Sequence, residues 1–304
     1  MKKINVTFNG TTDTTGYLFS LAKCLSASLR CSEYNKHADD IVATSGFAFR
    51  MWVNGDCLCP SAMSIWDFKQ QKPWTENGGL VCDYVERLWN EDTVEKERRL
   101  AAIEIIKNSI DNGVASVVWD LGDCEWGLVI GYDDEKMCLY TLKINGCEDS
   151  LPYENLGKME IPLLSVLTII GENENSSDQL VSDTKKLALS HLRGEEWCEN
   201  AKGLAAYDAL INFIANKLSA DTTWELEYYL GTYAALKWYA WKFFEKYNEP
   251  ELAAIYKSVH EAWQNSFSCK CSGDVTDEKI RSEIVTLLTS AKTAEIKALE
   301  IMSE

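Results

Sequence analysis

Ile161-Pro162-Leu163-Leu164-Ser165-Val166-Leu167-Thr168-Ile169-Ile170-Gly171-Glu172-Asn173-Glu174-Asn175-Ser176-Ser177 divides the chain into two kinds of sequence. Residues 161–170 are its most apolar run and read as a further strand or a buried segment; periodicity does not choose between the two. The run is far too short to cross a bilayer. Residues 171–177 carry nothing to bury and read as a linker.

N-terminal to this stretch the strand signals come close together. Residues 114–120, 126–132 and 137–142 are short, β-branched or aromatic, and separated by Gly122 and Asp133-Asp134. Residues 17–31 place Leu18, Leu21, Leu25 and Leu29 on one helical face. Residues 47–53 read as a strand ended by Asn54-Gly55, and Pro60 opens a short helix near Trp66. Residues 73–79 read as loop, followed by a helix through Val81, Tyr84, Val85 and Leu88. Asp92 and Glu95 have capping-box spacing ahead of a helix carrying Leu100, Ile103, Ile106 and Ile110, closed by Asn112-Gly113.

Beyond the linker everything reads helical. Leu204, Tyr207, Ile211, Ile214 and Leu218 repeat at three and four residues, and further helices are predicted over 223–247, 249–267 and from about Thr276. The coarse reading is an α/β N-terminal domain over 1–172 and an all-α helical bundle over 173–304.

The chain has 304 residues and a net charge of −17, and both halves are acidic. Neither offers the basic footprint that phosphate neutralisation requires, so nucleic acid and anionic membrane surfaces are not expected partners; a cationic one would be attracted. Eleven cysteines, an odd number at scattered spacing, suit free thiols in a reducing compartment. Lys2 and Lys3 have no apolar segment behind them, so no signal peptide is read there and a cytoplasmic location is expected.

Several segments, in order, carry a resemblance: Phe19-Ser20-Leu21-Ala22-Lys23-Cys24-Leu25, Ser45-Gly46-Phe47-Ala48-Phe49-Arg50, Cys59-Pro60-Ser61-Ala62, residues 125–133 and Gly203-Leu204-Ala205-Ala206-Tyr207. Over about residues 15–265 the chain resembles the family named for the N-terminal domain of the butirosin-biosynthesis H protein, with a helical C-terminal extension. The resemblance implies a papain-like fold of the bacteriocin-processing type, so the expected fold class is α+β, with helices packed on a small antiparallel sheet in the N-terminal domain. There a cysteine opens the first long helix and a histidine opens a strand, because a thiol is a weak nucleophile until an imidazole takes its proton. It also implies acyl transfer as an activity. At the expected nucleophile position this sequence has Thr15-Gly16-Tyr17, with Cys24 well inside the helix, and Glu125 stands where the histidine is expected. The histidines, His37, His191 and His260, fall on no strand of the predicted sheet.

Two functions follow as expectations. One is a protein with a degenerate papain-like active site that binds a small molecule or peptide between its domains, through Thr15, Arg50, Trp52, Trp126 and Tyr132. The other is an acyltransferase using Cys59, Glu125 and Asp120 as its catalytic constellation. Cys57, Cys59, Cys269 and Cys271 offer four sulfurs, but one-residue spacers are unusual for structural zinc and no metal is expected. Phosphate-loop, dinucleotide, HExxH and GxSxG motifs are missing, so no cofactor is expected. The aromatic crowd Trp224, Tyr228, Tyr229, Tyr233, Trp238, Tyr239, Trp241, Phe243 and Phe244 is too large to face one way. Part of it is expected to cover the N-terminal domain or a second subunit in a homodimer.

Overall fold

β-Branched segments before the linker and apolar-periodic segments after it adopt the two structures their spacing favours. A computed structural model describes residues 1–64 and 66–304. The elements begin β1 (Lys2–Lys3), α1 (Ser20–Arg30), α2 (Ile41–Thr44), β2 (Trp52–Val53), α3 (Gln71–Glu76), β3 (Leu80–Arg87), α4 (Glu95–Asp111), β4 (Ser116–Trp119) and β5 (Trp126–Asp133). They continue with β6 (Cys138–Leu142), β7 (Glu148–Pro152), β8 (Leu164–Glu172), α5 (Ser177–Arg193), β9 (Ala201–Lys202), α6 (Leu204–Asn216), α7 (Thr223–Lys246), α8 (Pro250–Ser272) and α9 (Glu278–Met302).

The chain forms two compact units. The first comprises Met1–Thr12, Ser20–Ile41 and Phe68–Asn175; the second comprises Asp13–Phe19, Val42–Asp67 and Ser176–Glu304.

The first unit is built on an antiparallel sheet in the order β3-β8-β4-β5-β6-β7, with β1 added to β5. Helix α4 lays Ala102, Ile103, Ile106 and Ile110 on one face of it, against Val118, Val129, Leu139 and Val166. Successive strand residues point to opposite faces, and the neighbours Val117 and Leu128 are also fully buried, so the sheet is covered on both sides. Two buried side chains of α1 bond to backbone near the strands: Ser28 Oγ donates to Ala115 O (2.7 Å) and the Cys24 thiol to Trp126 O (3.5 Å).

Three local readings are corrected. The segment through Val81, Tyr84, Val85 and Leu88 is the edge strand β3, paired along its length with β8. Its half-buried alternation, interrupted by a bulge between Val81 and Cys82, mimicked helical spacing. Part of the 73–79 loop is the helix α3. Asp92 and Glu95 form no capping box: residues Asp92–Val94 make a 3-10 turn and α4 starts at Glu95. The Glu95 carboxylate is taken by Arg99 one turn on (2.7 Å) and by Lys158 (3.3 Å), which only the fold brings near.

In the second unit α7 is buried continuously from Tyr229 to Lys237, so it is covered on all sides. Part of that covering comes from early chain segments. Tyr17 lies edge-on to Tyr228 and Phe267, and a Cβ on Gly231 would stand 2.7 Å from its ring, so only glycine admits it. The strand β2 pairs with β9 (Trp52↔Lys202, Val53↔Ala201), and Phe49 packs on Phe244 and Tyr256. Tyr229, Tyr233, Tyr239, Phe243 and Phe244 are therefore core residues of this unit, while Trp224 stays 56% exposed. Among the described residues, no helix is long and apolar enough to cross a membrane.

Candidate functional site

Helix α1 begins at Ser20, later than apolar spacing suggests, because residues 13–19 are held in the second unit. There Thr15 Oγ1 donates to Gly231 O (2.8 Å) and Tyr17 OH to Glu227 Oε1 (2.8 Å). The residue opening α1 is thus a serine. Its hydroxyl donates to Glu125 Oε2 at 2.5 Å and accepts the Trp126 N–H at 3.4 Å. Ser20 is 4% exposed and Glu125 half-buried, immediately before β5. A hydroxyl at a helix start therefore meets a carboxylate at a strand start.

Glu125 is carried by the tight loop between β4 and β5, and Asp120 shapes that loop. Asp120 Oδ1 accepts the Gly122 and Cys124 N–H groups (3.0 and 3.2 Å), Oδ2 accepts the Ile161 N–H (3.4 Å), and its own N–H donates to Glu125 O (2.9 Å). Asp120 and Cys124 have φ of 51° and 53°, left-handed values costly for residues with a Cβ, and the Asp120 side-chain bonds offset that strain. Asp120 is 2% exposed and spends its oxygens on loop backbone and the Cys124 thiol, so it builds the loop. Burial, with the charge of Asp120 adding to it, raises the Asp123 carboxyl above its usual range, while Lys143 opposes the shift.

The other residues singled out from sequence divide between the units. Asp120, Glu125, Trp126 and Tyr132 belong to the first; Thr15, Arg50, Trp52 and Cys59 belong to the second. Trp126 is fully buried, edge-on to Trp119 (5.4 Å) and tilted against Phe68 (6.2 Å), so it is core. Tyr132 donates to Asp111 Oδ1 (2.9 Å) under Lys107, and its hydroxyl is raised chiefly by that hydrogen bond. Cys59 Sγ meets Ser61 Oγ at 2.8 Å, and its carbonyl accepts from Tyr229 OH at 2.9 Å.

Arg50 is 5% exposed, and its guanidinium lies 3.7 Å over Trp52, 4.7 Å over Phe47, 4.9 Å over Trp66 and 5.4 Å over Phe19. Burial lowers it to about 10, against the opposing charge of Glu196. Trp52 Nε1 donates to Glu196 Oε1 (2.7 Å), and the other carboxylate oxygen takes His191 Nδ1. This charged, aromatic-walled cluster organises the interior of the second unit.

Each imidazole has a structural contact. His37 Nε2 meets Glu172 at 2.6 Å, and His260 Nδ1 donates to Ala234 O at 3.0 Å while its ring stacks on Trp241. His191 is 1% exposed, and its Nε2 lies where a Cβ on Gly46 would approach to 2.4 Å. Burial, with the Glu125 charge second, pushes the Cys24 thiol well above its ordinary value. Among the described residues, no group of three or more His, Cys, Asp or Glu side chains could hold a metal ion, so the four-sulfur set is not assembled.

Sequence reasoning does not single out Ser20, because the apolar spacing starts the helix at Tyr17. A serine ahead of the periodic Leu21, Cys24, Leu25 and Ser28 face was the available signal. No protein-family model matches the chain, and no curated protein matches it.

Proposed function

We propose that this is a ligand-binding protein with a papain-like N-terminal architecture and no cysteine-peptidase activity, its ligand a small molecule or peptide with a cationic group. The observation that carries this reading is the Ser20–Glu125 contact of 2.5 Å. A hydroxyl and a carboxylate meet where a helix start adjoins a strand start, the arrangement in which a papain-like peptidase keeps thiol and imidazole. A carboxylate cannot activate a buried, proton-retaining thiol such as Cys24 as an imidazole would. Glu125 instead offers a half-buried anion on an acidic loop with Asp120 and Asp123, which favours an ammonium or guanidinium partner.

The test is native mass spectrometry and thermal shift of the full chain against matched cationic, neutral and anionic amines and peptides, beside Glu125→Gln. Selective binding of the cationic members, weakened about tenfold or more in the variant, supports the reading, since a charge-assisted hydrogen bond contributes about 1.5–3 kcal/mol. Anionic preference, or equal binding by the variant, sinks it. Thiol-dependent cleavage of a peptide library would sink the claim about peptidase activity.

The same contact favours acyl transfer as a second reading, with Ser20 rather than Cys59 as nucleophile. The Ser20 oxygen would attack an acyl carbonyl, Glu125 would take the hydroxyl proton, and that proton would leave with the alcohol or thiol leaving group as the acyl–serine ester forms. A mass increase of one acyl group on incubation with an acyl thioester, lost in Ser20→Ala, would favour it over simple binding.

A further inference from the structure

Helix α9 carries an anomaly in its packing seam. Its buried residues are Ile284, Leu288, Ala291, Glu295, Ala298 and Met302, spaced four, three, four, three and four. That is the heptad spacing of a helix docked along one stripe. Every seam position but one is apolar. Glu295 is the exception, with a side chain 0% exposed.

Glu295 meets Lys237 of α7, also 0% exposed, with Nζ 2.7 Å from Oε1. The contact misses hydrogen-bond angles, so it is an ion pair with poor direction, supplemented only by the Tyr207 hydroxyl within reach of the carboxylate. Tyr207 and Tyr256, from α6 and α8, lie in its field: burial and then the Glu295 charge hold both phenols protonated. Trp263 Nε1 donates to the Tyr207 hydroxyl at 2.9 Å. Taking two charges out of water costs several kcal/mol each, and the attraction offsets this only with excellent geometry and further hydrogen bonds. By that criterion the pair is a poor way to gain stability.

The seam indicates what the pair does instead. If α9 slid by seven residues, Leu288 or Met302 would face Lys237, and elsewhere apolar residues would exchange with apolar ones of different size, at a packing cost alone. Packed helices do shift past one another by whole turns of about 5.4 Å where a second seating exists. Glu295 raises the cost of any second seating, because a displaced register buries Lys237 against hydrocarbon and Glu295 away from its cation. We infer that Lys237–Glu295 is a register key: it lowers the stability of the helical unit relative to an apolar seam and confines α9 to one docked position.

Four forms of the full chain test this: wild type, Lys237→Met/Glu295→Leu, Lys237→Glu/Glu295→Lys, and Glu295→Leu alone. Thermal unfolding and ¹⁵N–¹H spectra of α9 amides are the readouts. The apolar pair is expected to raise the midpoint by roughly 2–8 °C and to give α9 resonances in two or more sets. The reversed pair is expected to keep one set, and Glu295→Leu alone to lower the midpoint by burying an unpaired Lys237. A single set of α9 resonances in the apolar pair, or a midpoint below wild type, overturns the inference.

Discussion

Tyr233→Phe removes one oxygen and leaves the ring, so it isolates a single physical effect. The Tyr233 hydroxyl accepts the Trp52 N–H at 2.9 Å and donates to the Trp52 carbonyl at 2.7 Å, closing both backbone valences of a residue that is 0% exposed. It does for the free side of β2 what another strand would do. Phenylalanine keeps the packing on Trp263 (5.2 Å) but strands a buried donor and a buried acceptor. Two lost bonds at about 0.5–1.5 kcal/mol each, plus part of the 1–3 kcal/mol penalty for each unsatisfied group, give a destabilisation of about 3 kcal/mol. Against a typical domain stability of about 5–15 kcal/mol this is large. Urea unfolding reads the total, and hydrogen exchange of the Trp52 and Val53 amides shows whether the loss starts there. Tyr229→Phe is the control. Its hydroxyl serves Asn54 N (3.3 Å) and Cys59 O (2.9 Å), backbone of residues only half-buried, so the cost should be about half. A Tyr233→Phe cost below about 0.5 kcal/mol would show that Trp52 needs no such partner and refute the argument.

Asp120→Ala should release the strained loop and cost about 2–3 kcal/mol. It should also weaken ligand binding as Glu125→Gln does, measured by urea unfolding and by titration of the same cationic ligand. Gly231→Ala drives a methyl into the Tyr17 ring and is expected to cost about 1–3 kcal/mol; recovery in a Tyr17→Ala background would confirm the clash. The Lys270 and Tyr17 hydrogen bonds lower the Glu227 carboxyl below its unfolded 4.5, so its contribution is fully present above that pH and is lost as pH falls through the folded value. The stability gap between wild type and Glu227→Gln should therefore be constant near neutrality and close on acidification below 4.5, as urea midpoints across pH would show. Iodoacetamide at pH 8 should modify exposed Cys31, Cys57, Cys147 and Cys271 well before buried Cys24 and Cys82, by peptide mapping.

The residue pattern alone carries the character of most stretches, the edge strand β3 and the helix α3 excepted. Val114 to Leu142 reads as strands and the three-and-four spacing after Ser177 as helices, because period-two and period-3.6 burial leave different marks on composition; the 161–170 run stays open between strand and buried segment until its pairing with β3 and β4 makes it β8. The residue pattern also displays Glu125 where the resemblance expects a histidine. Only tertiary structure decided which stretches fold together. Residues 13–19 and 42–67 join the helical unit, since Tyr17, Trp52 and Cys59 find their polar partners on α7, more than a hundred and fifty residues away in sequence. No local pattern encodes that pairing. It also decided where α1 begins, and so that Ser20 faces Glu125: a helix start is set by the competition between local propensity and distant hydrogen bonds, and here the distant bonds of Thr15 and Tyr17 win.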